Sequence, residues 1–314
     1  MPEPLSWRNT ASQNTKNLMN MTEVKWLGWF ENAGANMTEI RNGLDIKDIP
    51  QRKGPAVIVG GGPSYHRYRH QNLLQEFRDR IPTIISTDRM LKSLLAVQVE
   101  PHFVASIDGD PIVSEFYQIH SDERFPKTDV VFDAVTVHPL TLKTAKENLG
   151  GKVYWFTHFF DDPMTPRCGT CNRLSLTAGL HYMTKKTLIQ AAGNVGAFAW
   201  HLAYFLGCDP IIMIGMDLSY EPDTPLDKTI YYDGFMKMVN RDPLKLRACY
   251  QVRANPDFHN KYMTDLIFDA YRDMIMPFIK RAKVTTINST GGGALHGEPI
   301  KGIGFEEALR KYCR

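Results

Sequence analysis

The sequence lacks a strong net charge and a long apolar run. Its 37 Lys and Arg against 34 Asp and Glu leave a formal charge of +3, too weak to indicate nucleic-acid binding. No apolar run approaches the roughly 18 residues that a membrane span needs, and the N-terminal stretch MPEPLSWRNTASQNTKN lacks the apolar core of a signal peptide. We therefore expect a cytoplasmic globular protein with no membrane span and no nucleic-acid partner.

The sequence also lacks a disulfide framework. Its five cysteines are an odd number and are scattered along the chain. Cys168 and Cys171 form a CxxC in TPRCGTCNR, but no second CxxC or HxxxH follows that would complete a zinc site. The pattern favours a loop with two reduced thiols over a metal-binding or redox pair.

What the sequence does contain is a regular alternation of strand and helix patterns from residue 54 onward. Strands separated by helices of this length pair in parallel. The sequence therefore predicts an α/β fold over residues 51–314, a doubly wound, mostly parallel Rossmann-like sheet with helices on both faces. The predicted strands are 56–60, 82–87, 102–108, 129–134, 152–157, 210–217 and 283–290, and the predicted helices are 72–80, 90–98, 194–206 and 265–281.

Two segments do not follow this alternation. Residues 1–50 predict an N-terminal helical extension, because Trp26, Trp29 and Phe30 have the i, i+3, i+4 spacing of an amphipathic helix laid on the main domain. Residues 221–258 are rich in Pro, Asp and Tyr and predict a long excursion, which we interpret as a lid over the site.

The first predicted strand ends in three glycines, Gly60, Gly61 and Gly62, followed by Pro63 and Ser64. Glycine lets backbone N–H groups approach phosphate oxygens, and the start of a following helix adds a favourable dipole. A tight strand–helix turn is the alternative. The stretch is neither a Walker A loop nor a GxGxxG fingerprint, so it predicts a generic nucleotide-binding turn.

Four further predicted strands also end in small or hydrogen-bonding residues. Ligands of open α/β sheets bind beyond the carboxyl ends of the strands, so this coincidence predicts a site at that edge. We select Asp217 and Asp108 as candidate catalytic residues. The candidate nucleotide-binding residues at these ends are Thr87, Asp88, Ser289 and Thr290.

Asp108 and Asp110 in SIDGDP form a candidate magnesium site. A flexible glycine between two carboxylates lets both face one cation, and Mg²⁺ is held by such oxygens together with substrate phosphates. A turn in which Asp108 caps the next segment is an equally good interpretation.

His259 in NPDFHNKYMTD is the candidate general base. It precedes the predicted helix 265–281 and stands near Asp257 and Asp265. A surface histidine beside a capping Asp265 is the alternative. His138, His158 and His296 are further candidates with fewer polar neighbours.

Four segments together resemble the 6-hydroxymethylpterin diphosphokinase-like domain, which is shared with the motility accessory factors, a group of flagellin glycosyltransferases. In chain order they are GPAVIVGGGPS, TIISTDRMLKSLLAVQVEPHFVASIDGDP, GNVGAFAWHLAYFLGCDPIIMIGMDLSY and INSTGGGALHG, within residues 54–297. The layout is also similar to that of bacterial sialyltransferases, which use CMP-sugars. That similarity implies that His259 takes the acceptor's proton, and that the nucleotide is held by Gly61, Ser64, Asn194 and Gly196.

The diphosphokinase branch of this resemblance implies different chemistry. There ATP gives its β,γ-diphosphate to a hydroxymethyl group, and positioning and charge stabilisation supply most of the rate. Asp88, Asp108 and Asp110 resemble that family's metal-site acids.

Three hypotheses follow for the function. The first is a glycosyltransferase acting with a CMP- or other nucleotide-sugar, the second a Mg²⁺-dependent 6-hydroxymethylpterin diphosphokinase using ATP, and the third a non-catalytic nucleotide-binding scaffold whose first 50 residues recruit a partner. We expect the acceptor to be a small molecule, a glycan or a protein. The oligomeric state stays open, a homo-oligomer being one alternative.

Overall fold

The computed structural model describes residues 25–119, 126–160 and 175–314. Cys168, Cys171 and the first 24 residues lie outside the described residues, so what the sequence predicts for them stays a prediction. Within the described ranges, no helix combines the length and the apolar character that crossing a membrane requires.

Helices and strands alternate along much of the described chain, as the sequence predicts, although some consecutive strands have no α-helix between them. The helices are α1 (Trp26–Asn42), α2 (Ser64–Arg67), α3 (His70–Phe77), α4 (Leu91–Ala96), α5 (Pro139–Asn148), α6 (Leu176–Thr184), α7 (Val195–Phe205), α8 (Tyr232–Met238), α9 (Pro243–Ala248), α10 (Leu266–Arg281) and α11 (Phe305–Tyr312). The strands are β1 (Leu44–Asp45), β2 (Ala56–Val59), β3 (Thr83–Thr87), β4 (Phe103–Ser106), β5 (Asp129–Asp133), β6 (Val153–His158), β7 (Leu188–Ile189), β8 (Ile211–Ile214), β9 (Tyr250–Asn255), β10 (Asn260–Asp265), β11 (Thr286–Asn288) and β12 (Lys301–Gly302).

Ten of these strands form one parallel sheet in the order β1-β6-β5-β4-β3-β2-β8-β11-β12, with β7 paired to β6. Strands β2 to β6 extend the sheet in one direction, whereas β8, β11 and β12 extend it in the other. The predicted doubly wound α/β fold is confirmed. The direction reverses between β2 and β8, and doubly wound sheets bind ligands at such a reversal.

The central strands are buried on both faces, as expected where helices cover a parallel sheet on each side. Ile58 of β2 belongs to a core that includes Phe198 of α7 and Ile275 of α10. Its neighbour Val57 points to the opposite core, which includes Phe305 of α11. This burial fixes the strand register and, with it, the side chains that emerge at the carboxyl edge.

The described part of the predicted N-terminal extension is integral to this sheet domain. The helix that the aromatic spacing predicts is α1, and β1 after it pairs with β6. Asn32 and Asn36 of α1 donate hydrogen bonds to the carbonyls of Thr136 and Val137, both at 2.9 Å. Residues 25–50 therefore contribute a helix and an edge strand that contact the sheet domain.

Residues 221–258, the predicted long excursion, contain helices and a strand of their own. They contain α8, α9 and β9, and β9 pairs with β10 in an antiparallel hairpin. Phe235, Leu246 and Tyr250 pack with Ile267 of α10 in a separate apolar cluster. The role of this segment as a lid stays a prediction.

Candidate functional site

A cavity of about 830 Å³ lies at the carboxyl edge of the sheet, over the reversal between β2 and β8. It brings together the ends of β2, β3, β4 and β8 and the start of α7, although these are far apart in the sequence. The sequence-predicted residues that line it are Gly60, Gly61, Gly62, Pro63, Thr87, Asp88, Asp108, Asn194, Gly196 and Asp217.

Two of the three glycines after β2, Gly60 and Gly62, are needed because this turn touches the turn after β8. A Cβ on Gly60 would lie 2.4 Å from the Gly215 oxygen, and a Cβ on Gly62 would lie 2.0 Å from Asp217 Oδ2. The N–H of Gly60 donates to Ile214 O at 2.9 Å, and that of Gly62 donates to Gly215 O at 2.8 Å. These two amides are therefore not available to a phosphate, contrary to the expectation for all three glycines.

Gly61 has a different environment from its two neighbours. It is exposed on the cavity wall, and a Cβ there would meet its nearest protein atoms at 3.6 Å, an ordinary contact. Nothing in the protein's own packing demands a glycine at this position. A close approach by a ligand is one requirement that would.

The start of α7 offers unsatisfied hydrogen-bond donors to the same cavity. Asn194 Oδ1 accepts from Ala197 N at 2.9 Å and so caps the helix, whereas Asn194 Nδ2 is buried with no hydrogen-bond partner. Gly196 admits Met216 against the first turn, because a Cβ there would lie 2.2 Å from the Met216 sulfur. The first N–H groups of a helix and its dipole attract anions, so this part of the cavity suits a phosphate.

Asp217 and Ser64 form a buried pair beside the glycine turn. Ser64 Oγ donates to Asp217 Oδ2 at 2.7 Å. Burial raises the pKa of Asp217 to about 7, and the hydrogen bonds from Ser64 oppose that rise. Ser64 itself does not line the cavity. Its hydroxyl is hydrogen-bonded to Asp217. Because the pKa of Asp217 is near 7, this carboxyl is partly neutral near pH 7 and repels a nearby phosphate less than an ordinary aspartate would.

The three predicted metal-site acids divide into two groups. Asp88 and Asp108 line the cavity, and burial raises the pKa of Asp88 to about 6 although Ser106 Oγ donates to it at 2.7 Å. Asp110 instead accepts from Ile112 N at 3.0 Å, caps the 3₁₀ helix Pro111–Tyr117 and is not part of the cavity lining.

In the ranges that the structure describes, no group of three or more His, Cys, Asp or Glu is arranged to hold a metal. Mg²⁺ commonly takes only one or two carboxylates and completes its shell with water and substrate phosphates. Asp88 and Asp108, rather than Asp108 and Asp110, are the residues that could each give such an ion one oxygen.

Three other predicted residues lie away from the cavity lining. His259 is exposed in the turn between β9 and β10, and the six residues of β10 separate it from α10. Ser289 and Thr290 are buried in the turn after β11, where Thr290 N and Oγ1 bond to Asn288 Oδ1 at 2.8 and 2.6 Å. The geometry supports the alternative that His259 is a surface histidine, with Asp265 capping α10.

One end of the cavity, which we call the His158 end, is lined by Trp26, Trp29, Thr136, His158 and Phe160. His158 Nδ1 is hydrogen-bonded to the fully buried carboxylate of Asp133. The sequence pattern does not single out Asp133, and His158 is only one of three further candidate histidines. The available signal was that the two stand at or next to the ends of the predicted strands 129–134 and 152–157.

A second aromatic part of the cavity lining, which we call the tyrosine end, consists of Tyr220, Tyr231, Phe268 and Tyr271. The rings of Tyr220 and Tyr231 lie 5.0 and 5.6 Å from that of Phe268. Burial raises the pKa of Tyr220 and Tyr231 well above the usual phenol value. The cavity lining thus contains two groups of aromatic residues besides the glycine turn and the start of α7.

Comparisons with known proteins agree with this architecture. No curated protein matches the chain. Among solved structures, the chain is similar to the MAf glycosyltransferase from Magnetospirillum magneticum AMB-1, with 17% sequence identity and a TM-score of 0.61. The match covers 88% of this chain but only 38% of that one, and at this identity it shows the fold alone.

A family model described as 6-hydroxymethylpterin diphosphokinase MptE-like matches residues 31–223. The match covers more than half of the 314 residues and includes both the glycine turn and Asp217. The chain therefore belongs to the MptE-like family.

Proposed function

We propose that the protein is a transferase that binds a nucleotide-activated donor in this cavity, the donor being a CMP-sugar or another nucleotide-sugar. The observation that carries the proposal is the buried, unpartnered Nδ2 of Asn194 at the start of α7. A buried donor without a partner is costly unless a ligand satisfies it. At a helix N-terminus beside the sheet reversal, phosphate is the fitting ligand.

The two aromatic ends support a reaction between two substrates. A cavity of about 830 Å³ is at the large end of the range for small-molecule sites. Aromatic walls stack on flat bases and on the apolar faces of sugars. We assign the donor's nucleoside to the tyrosine end and the acceptor to the His158 end, so that the reacting bond lies between them.

The centre of the cavity would stabilise the leaving nucleotide. Negative charge develops on the phosphate as the sugar departs, and donors fixed in advance stabilise it without reorganising. The start of α7, Asn194 Nδ2 and the N–H of Gly61 supply such donors, and Arg89 lines the same wall. The glycosyltransferase with the same fold supports a sugar as the transferred group.

A second candidate, a Mg²⁺-dependent 6-hydroxymethylpterin diphosphokinase, is favoured by the family that the chain belongs to. In that case the flat pterin would stack at the His158 end, and ATP would occupy the centre. Asp88 and Asp108 would hold the Mg²⁺, which would neutralise phosphate charge when bound.

Calorimetric titration with CMP, CTP, ATP and UDP-sugars, each with and without Mg²⁺, tests the proposal. We expect a cytidine or sugar nucleotide to bind without metal. Binding of ATP that requires Mg²⁺ would favour the diphosphokinase. Binding with no turnover of any donor would leave the non-catalytic scaffold, and no heat with any nucleotide would remove all three hypotheses.

A further inference from the structure

The Asp133–His158 pair is fixed by burial and by hydrogen bonds on the cavity wall. Asp133 has no exposed surface, and its carboxylate accepts from Val135 N at 3.2 Å and is hydrogen-bonded to His158 Nδ1, with Thr136 Oγ1 3.1 Å away. Thr136 Oγ1 is in turn 2.7 Å from Ile107 O. Register produces this arrangement, because Asp133 lies beside Phe156 in the sheet and His158 is two residues further along β6.

The hydrogen bond decides which ring nitrogen can take a proton. A carboxylate only accepts hydrogen bonds, so Nδ1 of the neutral imidazole must carry the hydrogen. Nε2 then keeps its lone pair, which is the state of a general base.

Aromatic rings hold the imidazole of His158 in place. Its centroid lies 3.8 Å from that of Phe160 and 6.5 Å from that of Trp29, which approaches edge-on. Trp29 and Phe160 also line the cavity. Because Phe160, Trp29 and Asp133 already restrict the imidazole, it loses little rotational freedom when a substrate hydroxyl binds. This favours proton transfer.

From this geometry we infer that His158 is the general base that removes the proton of the acceptor hydroxyl, and that Asp133 is the residue that positions it. The acceptor oxygen forms a bond to the donor's electrophilic atom, the sugar carbon or, with ATP, the phosphorus. The bond from that atom to the leaving phosphate oxygen breaks, the nucleotide leaves with the electron pair, and the proton moves to His158 Nε2. The inference rests on the proposed function but holds for both donor classes.

Donor cleavage with water as the acceptor tests the catalytic role without knowledge of the natural acceptor. The full-length chain is incubated with a CMP-sugar and, separately, with ATP and Mg²⁺, and nucleotide release is measured. We expect His158→Gln to lower the rate of release by about 100-fold while the nucleotide dissociation constant changes less than twofold. The matched control is His181→Gln, an exposed histidine of α6 that is not part of the cavity lining and should leave the rate unchanged.

The outcomes separate the two proposals. A His158→Gln rate within threefold of the parent, or a parent that binds nucleotide but releases no product, overturns the role of His158. A parent chain that binds no nucleotide shows that the proposed function itself has failed, and the base assignment falls with it.

Nitrogen-15 NMR of labelled histidine tests the role of Asp133 directly. In the parent chain we expect Nδ1 of His158 to be protonated and Nε2 to be bare. Asp133→Asn should reverse this, because the amide can donate to Nδ1 and so favours the wrong tautomer. A parent spectrum with a protonated Nε2 and a bare Nδ1 would overturn the inference, even if the Asp133 variant did not fold.

Discussion

The two ends of the cavity are both aromatic, but their polar groups differ in what they can do. At the His158 end an imidazole is held by a buried carboxylate, a pair suited to moving a proton. At the tyrosine end, Tyr220 donates to Asp265 at 2.8 Å. Burial raises the pKa of the Tyr220 phenol well above its usual value, so it stays protonated at neutral pH. From this difference we assign proton transfer to the His158 end and stacking to the tyrosine end.

The largest effect is expected at Asp217, which belongs to neither of the two ends. Burial raises the pKa of Asp217 from the ordinary aspartate value near 4 to about 7 in the folded protein, so the stability that its protonation contributes is complete below about pH 4 and is lost as the pH rises through 7. Asp217→Asn stays neutral and still accepts from Ser64. We expect it to raise the free energy of unfolding by about 3 kcal/mol at pH 8 and by almost nothing at pH 4.

Urea unfolding at both pH values measures this difference. Nucleotide affinity should also weaken above pH 7 in the parent chain and stay flat in the variant, since the ionised carboxylate would repel phosphate. Equal stability of the two proteins at every pH would show that Asp217 has an ordinary pKa.

The next largest effect is expected from Asn194→Asp. A carboxylate can keep the cap on Ala197 N and favours a helix N-terminus, so the melting temperature should not fall. It removes the Nδ2 donor and adds a negative charge, so nucleotide binding should weaken about 100-fold, or 2.7 kcal/mol. Calorimetry on both proteins checks this, and undiminished affinity would place the phosphate elsewhere.

Gly61→Ala should have a smaller effect confined to binding. The new Cβ meets Arg89 and Met90 atoms only at 3.6 Å, so the fold should persist, but it stands between the backbone and a ligand in the cavity. We expect about tenfold weaker nucleotide binding. Gly34→Ala in α1, where nothing lies within 4 Å of the added atom, is the matched control, and equal affinities in both variants would contradict the placement of the donor.

Tyr220→Phe should have the smallest effect on turnover and sharpens the contrast between the ends. Loss of its hydrogen bond to Asp265 should cost about 1 kcal/mol of stability. The rate of donor cleavage should stay within threefold of the parent, because stacking is preserved. A 100-fold loss here, with none in His158→Gln, would reverse the assignment of the two ends.

The location of the site could be predicted from the sequence because it depends on sheet geometry alone. Parallel strands end at one edge, so Gly61, Asp88, Asp108 and Asp217 had to meet there once the alternation was recognised. Contacts between remote segments could not be predicted. One such contact joins the turns that contain Gly60 and Gly215. In it the amides of Gly60 and Gly62 are already hydrogen-bonded within the protein.

The Asp133–His158 pair is likewise a contact between remote segments, which the sequence pattern does not predict. It depends on the register of β5 against β6, which the sequence pattern does not reveal. The sequence places His259 close to the start of α10 because β9 before it is a half-exposed strand, with Val252 56% exposed, and so lacks the apolar run that identifies the buried strands. The hairpin that carries His259 away from the start of α10 was therefore not predicted.

The central claim is that a donor's phosphates bind between Gly61 and the start of α7. A crystal structure of the chain with a bound nucleotide tests this most directly. We predict a phosphate oxygen about 3 Å from Asn194 Nδ2, with others at the Gly61 and first-turn α7 amides and the nucleoside at the tyrosine end. A nucleotide whose phosphates lie outside this cavity, with Asn194 Nδ2 still unpartnered, would contradict the account.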